Sequence, residues 1–287
     1  MTIEGGAAVV TGAASGIGYG LCEGAAQRGL AVVLADIEEQ SLEAAERRLR
    51  ESGARTLSVR TDVSRAEDLE NLANRAFETF GSVGLLCNNA GVQVSVTKPI
   101  WRYSHQDWEW LIGVNLWGVV HGLQAFLPRL MDQANASHVL NTASSAGMLI
   151  SPGLGVYKAT KHAVVSLSET LYHDLRVAQS QVGVSVFCPD VVKTGLRDAA
   201  RNRPEELGEE LKRTPEEQAA EDTLRGSKGL TPSEAGEIAL SSIEAGRFYI
   251  FTEDGPIEFT RQRLEGIEAG VPIAATGLRE DLGLSGP

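Results

Sequence analysis

The stretch AAVVTGAASGIG, residues 7–18, decides the fold. Ala7–Val10 is apolar at every position, which is typical of a strand buried on both faces of a sheet. Glycines follow at positions 12, 16 and 18, and they permit a tight turn that brings the backbone close to a ligand. A helix begins directly after this turn, and its N-terminal amides favour an anion. The arrangement predicts a dinucleotide site.

Further apolar runs alternate with longer amphipathic segments. The apolar runs, predicted as strands, are Ala31–Ala35, Val83–Cys87, Val139–Leu140, Val182–Cys188 and Phe248–Thr252. The segments predicted as helices are Glu38–Ser52, Ala66–Phe80, Ser104–Met131, Gly155–Gln179 and Pro232–Ala245. This alternation predicts an α/β fold, a Rossmann-type doubly wound parallel sheet.

We predict a single domain over residues 1–255, followed by a C-terminal tail over residues 256–287. Residues 190–230 interrupt the alternation because they are charged, weakly apolar and broken by Pro204 and Pro215. This segment is either a solvated helical insertion or a mobile lid over a substrate site. Composition does not choose between the two.

The acidic composition of the chain bears on which classes of macromolecule it can bind. The chain has 26 Lys and Arg against 38 Asp and Glu, a net charge of −12, without a long basic run. This charge argues against binding to nucleic acid or to an anionic membrane surface. The three cysteines are widely spaced, and the sequence shows neither a signal-peptide pattern nor 18 consecutive apolar residues. We expect a cytoplasmic protein that binds a small molecule and needs no metal.

Asp36 ends the second predicted strand, 24 residues after Gly12. A carboxylate at this distance can accept hydrogen bonds from the adenosine ribose hydroxyls, and it repels a 2′-phosphate. The nearby positions where a compensating cation could sit, Ala13, Ala14, Ser15 and Ile37, are uncharged. Asp36 could instead cap the helix that follows it. The ribose role is favoured, and the predicted cofactor is NAD and not NADP.

Tyr157 and Lys161 lie four positions apart, on one face of a predicted helix. An ammonium group one turn away would stabilise a phenolate and lower the pKa of the tyrosine. Ser144 ends a buried strand 13 residues earlier, and Asn115 interrupts an otherwise apolar helix. A buried amide at position 115 must find hydrogen-bond partners. These four residues are the candidate catalytic set.

The glycine turn Thr11–Gly18, the run Asn88-Asn-Ala-Gly91, Asn115, Ser144 and the pair Tyr157/Lys161 occur in a characteristic order and spacing. In this respect residues 5–195 resemble the short-chain dehydrogenase/reductase family. The resemblance implies a Rossmann-type fold. It also implies hydride transfer between a nicotinamide and a carbonyl or alcohol carbon.

The same resemblance implies a role for each candidate catalytic residue. Tyr157 would be the general acid for reduction and the general base for oxidation. Ser144, with Ser145 as the alternative, would hydrogen-bond the substrate oxygen. Lys161 would hold the nicotinamide ribose and lower the pKa of Tyr157. Asn115 would position a water that links Lys161 to solvent.

The resemblance also implies the contacts to NAD. Asp62 would contact adenine, residues 89–91 would line the adenosine ribose, and Val192 and Thr194 would fix the carboxamide and the pyrophosphate. With Tyr157 and Lys161, the implied contact residues are Gly12, Ser15, Gly16, Ile17, Gly18, Asp36, Ile37, Asp62, Val63, Asn89, Ala90, Gly91, Pro189, Val192 and Thr194.

Two features depart from the family pattern or stand outside it. Asp190 follows Pro189 where the family usually has glycine. Its carboxylate either reshapes the substrate pocket or faces solvent, and solvent is the favoured interpretation. The four tryptophans, Trp101, Trp108, Trp110 and Trp117, cluster near the start of the Asn115 helix. They form either core and subunit contacts, which is favoured, or an aromatic wall beside the substrate.

These observations predict an NAD-dependent dehydrogenase that interconverts a secondary alcohol and a ketone, with a bulky aryl or cyclic substrate. One alternative is an NAD-binding regulatory protein without turnover. Another is a different reaction on the same fold, such as epimerisation. By the resemblance, we expect a homodimer or homotetramer formed through the helices that bear Asn115 and Tyr157.

Overall fold

The computed structural model describes residues 5–94, 98–208, 214–215 and 229–272. Seven strands form one parallel sheet in the order β3-β2-β1-β4-β5-β6-β7. The strands are β1 (Ala7–Thr11), β2 (Ala31–Asp36), β3 (Thr56–Arg60), β4 (Val83–Asn88), β5 (His138–Thr142), β6 (Gly183–Cys188) and β7 (Tyr249–Phe251). The predicted α/β fold with a doubly wound parallel sheet is confirmed.

Helices cover both faces of the sheet. They are α1 (Gly16–Gln27), α2 (Glu39–Glu51), α3 (Ala66–Phe80), α4 (His105–Ile112), α5 (Gly118–Asp132), α6 (Gly155–Val177), α7 (Pro232–Glu244) and α8 (Gly255–Ala269). Successive residues of β1 point to opposite layers. Ala8 and Val10 pack with residues of α1, α2 and α7, whereas Ala7 and Val9 pack with residues of α3, α5 and α6. Apolar side chains on both faces explain why β1 has no polar alternation.

The chain order places a crevice between β1 and β4. From β1 the chain builds outward through β2 and β3, and it then returns to build the other half from β4. The loops after β1 and β4 therefore diverge to opposite faces at their carboxyl ends. In open α/β sheets such a switch point is where ligands bind.

Two local features differ from the sequence-based predictions. Strand β3 was not predicted, because only Val59 of its five residues is buried and the strand lies at the edge of the sheet. The predicted helix Ser104–Met131 contains a π-helical turn, Gly113–Trp117, between α4 and α5. Single π-helical turns inside α-helices are frequently found at functional sites.

The helix that runs through this turn, His105–Asp132, meets the length and composition of a membrane span. A core helix of a soluble protein passes the same test, so the finding is weak evidence for a membrane. Here α5 packs against α3, and Phe126 and Leu130 lie in the layer beneath the sheet.

Candidate active site

A single cleft of about 360 Å³ lies at the carboxyl ends of the strands. It is lined by the glycine turn, by the loops after β2, β4, β5 and β6, and by the first turns of α6. Every residue predicted to bind the cofactor or to act in catalysis lines this cleft, except Asn115. Residues more than 170 positions apart in the sequence, such as Gly12 and Val192, thus share one wall.

The glycine turn is too tight for side chains. Gly12 and Gly16 have φ values of +67° and +54°, which L-residues with a side chain rarely adopt. A Cβ at Gly18 would lie 2.0 Å from the carbonyl oxygen of Gly12. Ser15, the N-cap of α1, makes no side-chain capping bond, which leaves amides of the first helical turn for a ligand. This turn fits a diphosphate.

Thr11 fastens the loop after β4 to this turn. Its Oγ1 accepts hydrogen bonds from the backbone N–H groups of Asn89, at 2.9 Å, and Ala90, at 3.0 Å. The side-chain amide of Asn89 returns a hydrogen bond to the carbonyl oxygen of Thr11 at 3.0 Å. Gly12 then lies against Ala90, whose Cα would be 2.9 Å from an added Cβ. Both walls of the crevice are therefore rigidly joined.

Asp36 lies at the carboxyl end of β2, as predicted. Its carboxylate accepts hydrogen bonds from the N–H groups of Ala14, at 2.9 Å, and Glu38, at 3.0 Å. Helix α2 has Glu38 as its N-cap, so Asp36 is not the capping residue. Burial raises the pKa of Asp36, and the two backbone donors partly offset this rise. The contact of this carboxylate with a ribose hydroxyl stays a prediction.

The side chain of Asp62 stabilises the loop that follows β3. Its Oδ1 accepts hydrogen bonds from both the N–H and the hydroxyl of Ser64, at 3.0 and 2.7 Å. Val63 packs against Gly118 at the start of α5. Both predicted residues line the cleft, and their contact with adenine stays a prediction.

Tyr157 and Ser144 form the reactive pair of the cleft. Ser144 follows β5, and its Oγ accepts a hydrogen bond from the N–H of Ala146 at 3.1 Å. Tyr157 lies in the first turn of α6 and is 6 % exposed. Burial raises the pKa of Tyr157 to about 12, and a hydrogen bond with Ser144 acts in the opposite direction. The lowering of this pKa by Lys161 stays a prediction.

Lys161 lies under the pair, one turn further along α6. Its Nζ donates a hydrogen bond to the carbonyl oxygen of Thr142 at 2.9 Å and lies 5.6 Å from the centre of the Tyr157 ring. The side chain is 3 % exposed, and burial lowers the pKa of Lys161 to about 8. The ammonium group can therefore release a proton near neutral pH.

Asn115 lies behind the cleft and does not line it. Its Oδ1 accepts a hydrogen bond from the N–H of Val92 at 2.8 Å. Its Nδ2 donates to the carbonyl oxygen of Val92, at 3.0 Å, and to Oγ1 of Thr160, at 3.2 Å. The π-helical turn thus ties the loop after β4 to α6, which carries Tyr157. The water-positioning role of Asn115 stays a prediction.

The segment after β6 closes over the cleft. Two short 3₁₀ helices, Gly195–Asn202 and Glu205–Leu207, follow the strand, and Leu196, Ala199 and Pro204 line the cleft. These contacts favour the lid over the solvated insertion for residues 190–208. Of residues 209–230, those at 209–213 and 216–228 lie outside the described residues.

Two ion-pair clusters hold this segment, and sequence analysis missed both. Glu38, at the start of α2, accepts hydrogen bonds from Arg201, at 2.6 Å, and Asn202, at 2.7 Å. Asp107, in α4, pairs with Lys98 at 2.8 Å and with the next residue of the segment, Arg203, at 2.9 Å. The second cluster is buried, since the three side chains are at most 5 % exposed. The only local signal was the capping box in which Asp107 pairs with Ser104.

The favoured interpretation that Asp190 faces solvent is wrong. Its side chain lines the cleft, and Oδ1 accepts a hydrogen bond from the hydroxyl of Ser145 at 3.3 Å.

The tryptophan side chains differ in how far they are buried. Trp110 is buried and lines the cleft, whereas Trp101 is 82 % exposed and Trp117 is 50 % exposed. Trp110 therefore supplies the aromatic wall that was the less favoured interpretation.

Comparisons with known proteins agree with this site. The family model for short chain dehydrogenase matches residues 6–205. A "CLA biosynthesis dehydrogenase/reductase" of Lactiplantibacillus plantarum is 32 % identical over 251 residues, covering 85 % of this chain and 86 % of that protein. A "1-deoxy-11-beta-hydroxypentalenate dehydrogenase" of Streptomyces avermitilis is 33 % identical over 252 residues, covering 88 % and 86 %.

A solved structure is also similar. It is a short chain dehydrogenase/reductase from Burkholderia phymatum in complex with NAD, 43 % identical, with a TM-score of 0.90. The alignment covers 96 % of this chain and 98 % of that one. The matched family model, the relatives and the shared parallel sheet agree with one another, and the chain is an oxidoreductase that belongs to the short-chain dehydrogenase/reductase family.

Proposed function

We propose that the protein interconverts a secondary alcohol and a ketone by hydride transfer, with NAD as the cofactor. One observation carries the proposal. Tyr157, Ser144 and the buried ammonium group of Lys161 line the same cleft, and Nζ of Lys161 lies 5.6 Å from the centre of the Tyr157 ring. Two adjacent hydroxyls can both engage one substrate oxygen, while the lysine supplies and accepts protons.

The residues present fit NAD. The glycine turn and the first turn of α1 would hold the pyrophosphate, and Asp36 would hold the adenosine ribose. Glu38 adds a second carboxylate at this end of the cleft and pairs with Arg201. A 2′-phosphate would meet both carboxylates, which favours NAD over NADP. When bound, the nicotinamide accepts the hydride from the alcohol or donates it to the ketone.

The side chains then perform the proton chemistry. In ketone reduction, Ser144 donates a hydrogen bond to the substrate oxygen, where negative charge develops. Tyr157 donates its phenolic proton to the same oxygen, and the raised pKa keeps that proton in place at neutral pH. In alcohol oxidation Tyr157 accepts the proton, and Lys161 stabilises the resulting negative charge.

The substrate wall suits a bulky aryl or cyclic compound. Trp110, Leu154 and Leu196 line the cleft and pack in one cluster with Tyr157. Such a wall contributes apolar contact area and leaves few polar groups to orient a small hydrophilic substrate. The relative from Streptomyces avermitilis is named for a hydroxylated compound that it oxidises, in line with an alcohol substrate.

Assembly and location are part of the proposal. A shallow apolar groove on α5 and α6, lined by Leu123, Ala163 and Leu167 among others, supports pairing of these helices between subunits. We therefore keep the homodimer or homotetramer as the expected assembly, and the cytoplasm as the expected location.

The deciding experiment measures NADH absorbance at pH 9 against aliphatic, cyclic and aryl secondary alcohols, with NAD and NADP in parallel. We expect turnover with NAD and a preference for aryl or cyclic alcohols. Asp36→Ala is expected to raise the Kd for NAD and to relax the rejection of NADP.

Two outcomes would support the alternatives. Binding of NAD without turnover of any alcohol would favour a regulatory protein. Formation of an isomer without net NADH would favour epimerisation.

A further inference from the structure

The position of Asp190 is fixed by its neighbours. The N–H of Asp190 donates to Oγ1 of Thr252 at 2.9 Å. The N–H of Ser145 donates to the carbonyl oxygen of Pro189 at 2.8 Å. The first bond holds the loop after β6 against the end of β7, and the second holds it against the loop after β5. Because Ser145 directly follows Ser144, the carboxylate of Asp190 has a fixed place beside the reactive pair.

The carboxylate of Asp190 can accept more hydrogen bonds than the one described here. An ionised carboxylate has about four acceptor sites. Among the described residues, the hydrogen bond from Ser145 is the one recorded to this carboxylate, and its length of 3.3 Å makes it weak for an O–H donor. Asp190 is only partly buried and lines the cleft. A donor inside the cleft can therefore reach it.

We propose that Asp190 determines substrate specificity by accepting a hydrogen bond from a second hydroxyl group of the substrate. This inference rests on the proposed function. The reacting oxygen lies at Ser144 and Tyr157, so the second hydroxyl belongs to a nearby carbon. The preferred substrate is thus a diol or a hydroxyketone, whose apolar remainder lies against Trp110 and Leu196.

The alternative assignment gives Asp190 no contact with substrate. In that case its only task is to hold Ser145 and thereby to position Ser144. A purely positioning carboxylate would affect diols and simple alcohols equally. A carboxylate that contacts the substrate affects only the compound with the second hydroxyl.

The experiment uses two matched pairs of probes: hydrobenzoin with 1,2-diphenylethanol, and trans-1,2-cyclohexanediol with cyclohexanol. For each pair we would measure the ratio of binding constants to the NADH-saturated protein, which cannot oxidise an alcohol, by calorimetry, and the ratio of kcat/KM with NAD. Wild-type protein is expected to prefer at least one diol by about tenfold or more, the usual range for a hydrogen bond to a charged group. Asp190→Asn keeps the size of the side chain and is expected to reduce this preference several-fold.

Asp132→Asn, at an exposed carboxylate near the end of α5, is the matched control and should leave both ratios unchanged. Equal binding of diol and simple alcohol in the wild type, or a preference that Asp190→Asn leaves undiminished, overturns the inference. A diol preference in binding that depends on Asp190 supports the inference even if no alcohol is oxidised. Absence of oxidation would then contradict the proposed function alone.

Discussion

The two halves of the cleft are built in different ways. The glycine-turn half consists of Gly12, Gly16, Gly18 and the Asn89 loop, and its shape comes from backbone that leaves no room for a Cβ. The tyrosine half consists of Ser144, Tyr157, Asp190 and the lid at 195–208, and its shape comes from side chains on loops, on the first turn of α6 and on two 3₁₀ helices.

This difference indicates which half of the cleft can change its ligand specificity by substitution of single residues. A backbone cradle recognises what every dinucleotide shares, and it tolerates few substitutions. A wall of side chains can change one residue at a time without disturbing the sheet. The two halves meet at Lys161, whose Nζ would lie 3.5 Å from a Cβ added at Gly91.

The largest expected effect is in the tyrosine half. Tyr157→Phe removes the transferable proton and keeps the ring, so kcat is expected to fall by about 10²- to 10⁴-fold. Calorimetry should show nearly unchanged NAD binding, because the glycine-turn half is intact. Tyr172→Phe, on the same helix, serves as the control and should retain activity. Retention of turnover by Tyr157→Phe would exclude the proposed proton transfer.

The second largest effect is expected at the anchor of the lid, the buried ion pairs of Asp107 with Lys98 and Arg203. Burial alone would raise the pKa of Asp107, but hydrogen bonds from Lys98 and Ser104 and the charge of Lys98 lower it. Asp107→Asn leaves two buried cations without their counter-charge, so the free energy of unfolding should fall by about 3–5 kcal/mol, as measured by urea titration. Glu43→Gln, in an exposed pair with Arg47, should change it by about 0.5 kcal/mol or less. Equal effects of the two variants would contradict a buried anchor.

A smaller effect is expected from the glycine-turn half. Gly18→Ala forces its Cβ against the carbonyl oxygen of Gly12, and such overpacking costs about 1–3 kcal/mol of stability. The Kd for NAD should rise with it, because the turn must open. Gly113→Ala is a control in which the Cβ meets only Ser64, at 3.7 Å. If Gly18→Ala bound NAD as tightly as the wild type, the cradle would not depend on this close approach.

The pH dependence tests the tyrosine half without a mutation. Alcohol oxidation needs the deprotonated form of Tyr157, and burial raises the pKa of this residue. The value of kcat/KM for oxidation should therefore rise about tenfold per pH unit below the governing pKa, since one proton must leave. Ketone reduction uses the protonated form and should not rise over the same range. An oxidation rate that is independent of pH from 6 to 9 would argue against Tyr157 as the base.

Most of the glycine-turn half could be predicted from the sequence. Its features are local, since a buried strand, three glycines and a carboxylate at a fixed distance can all be read along the chain. The strands with both faces buried were predicted for the same reason. Strand β3 was missed because one buried residue at a sheet edge leaves no periodic pattern.

The tyrosine half could be predicted only in part. Tyr157 and Lys161 share one helix face, so their proximity follows from spacing. The pairing of Asp107 with Arg203 joins residues 96 positions apart, and no local pattern encodes such a contact. The place of Asp190 depends in the same way on two distant contacts: its N–H donates a hydrogen bond to Thr252, and its carboxylate accepts one from Ser145.

The central claim is that hydride passes between the substrate carbon and the nicotinamide. It is tested most directly with a secondary alcohol that carries deuterium on its carbinol carbon, chosen as the best substrate of the alcohol panel. The account predicts that mass spectrometry finds one deuterium in the NADH formed and none in the solvent. Unlabelled NADH, or deuterium released to water, would contradict direct hydride transfer in this cleft.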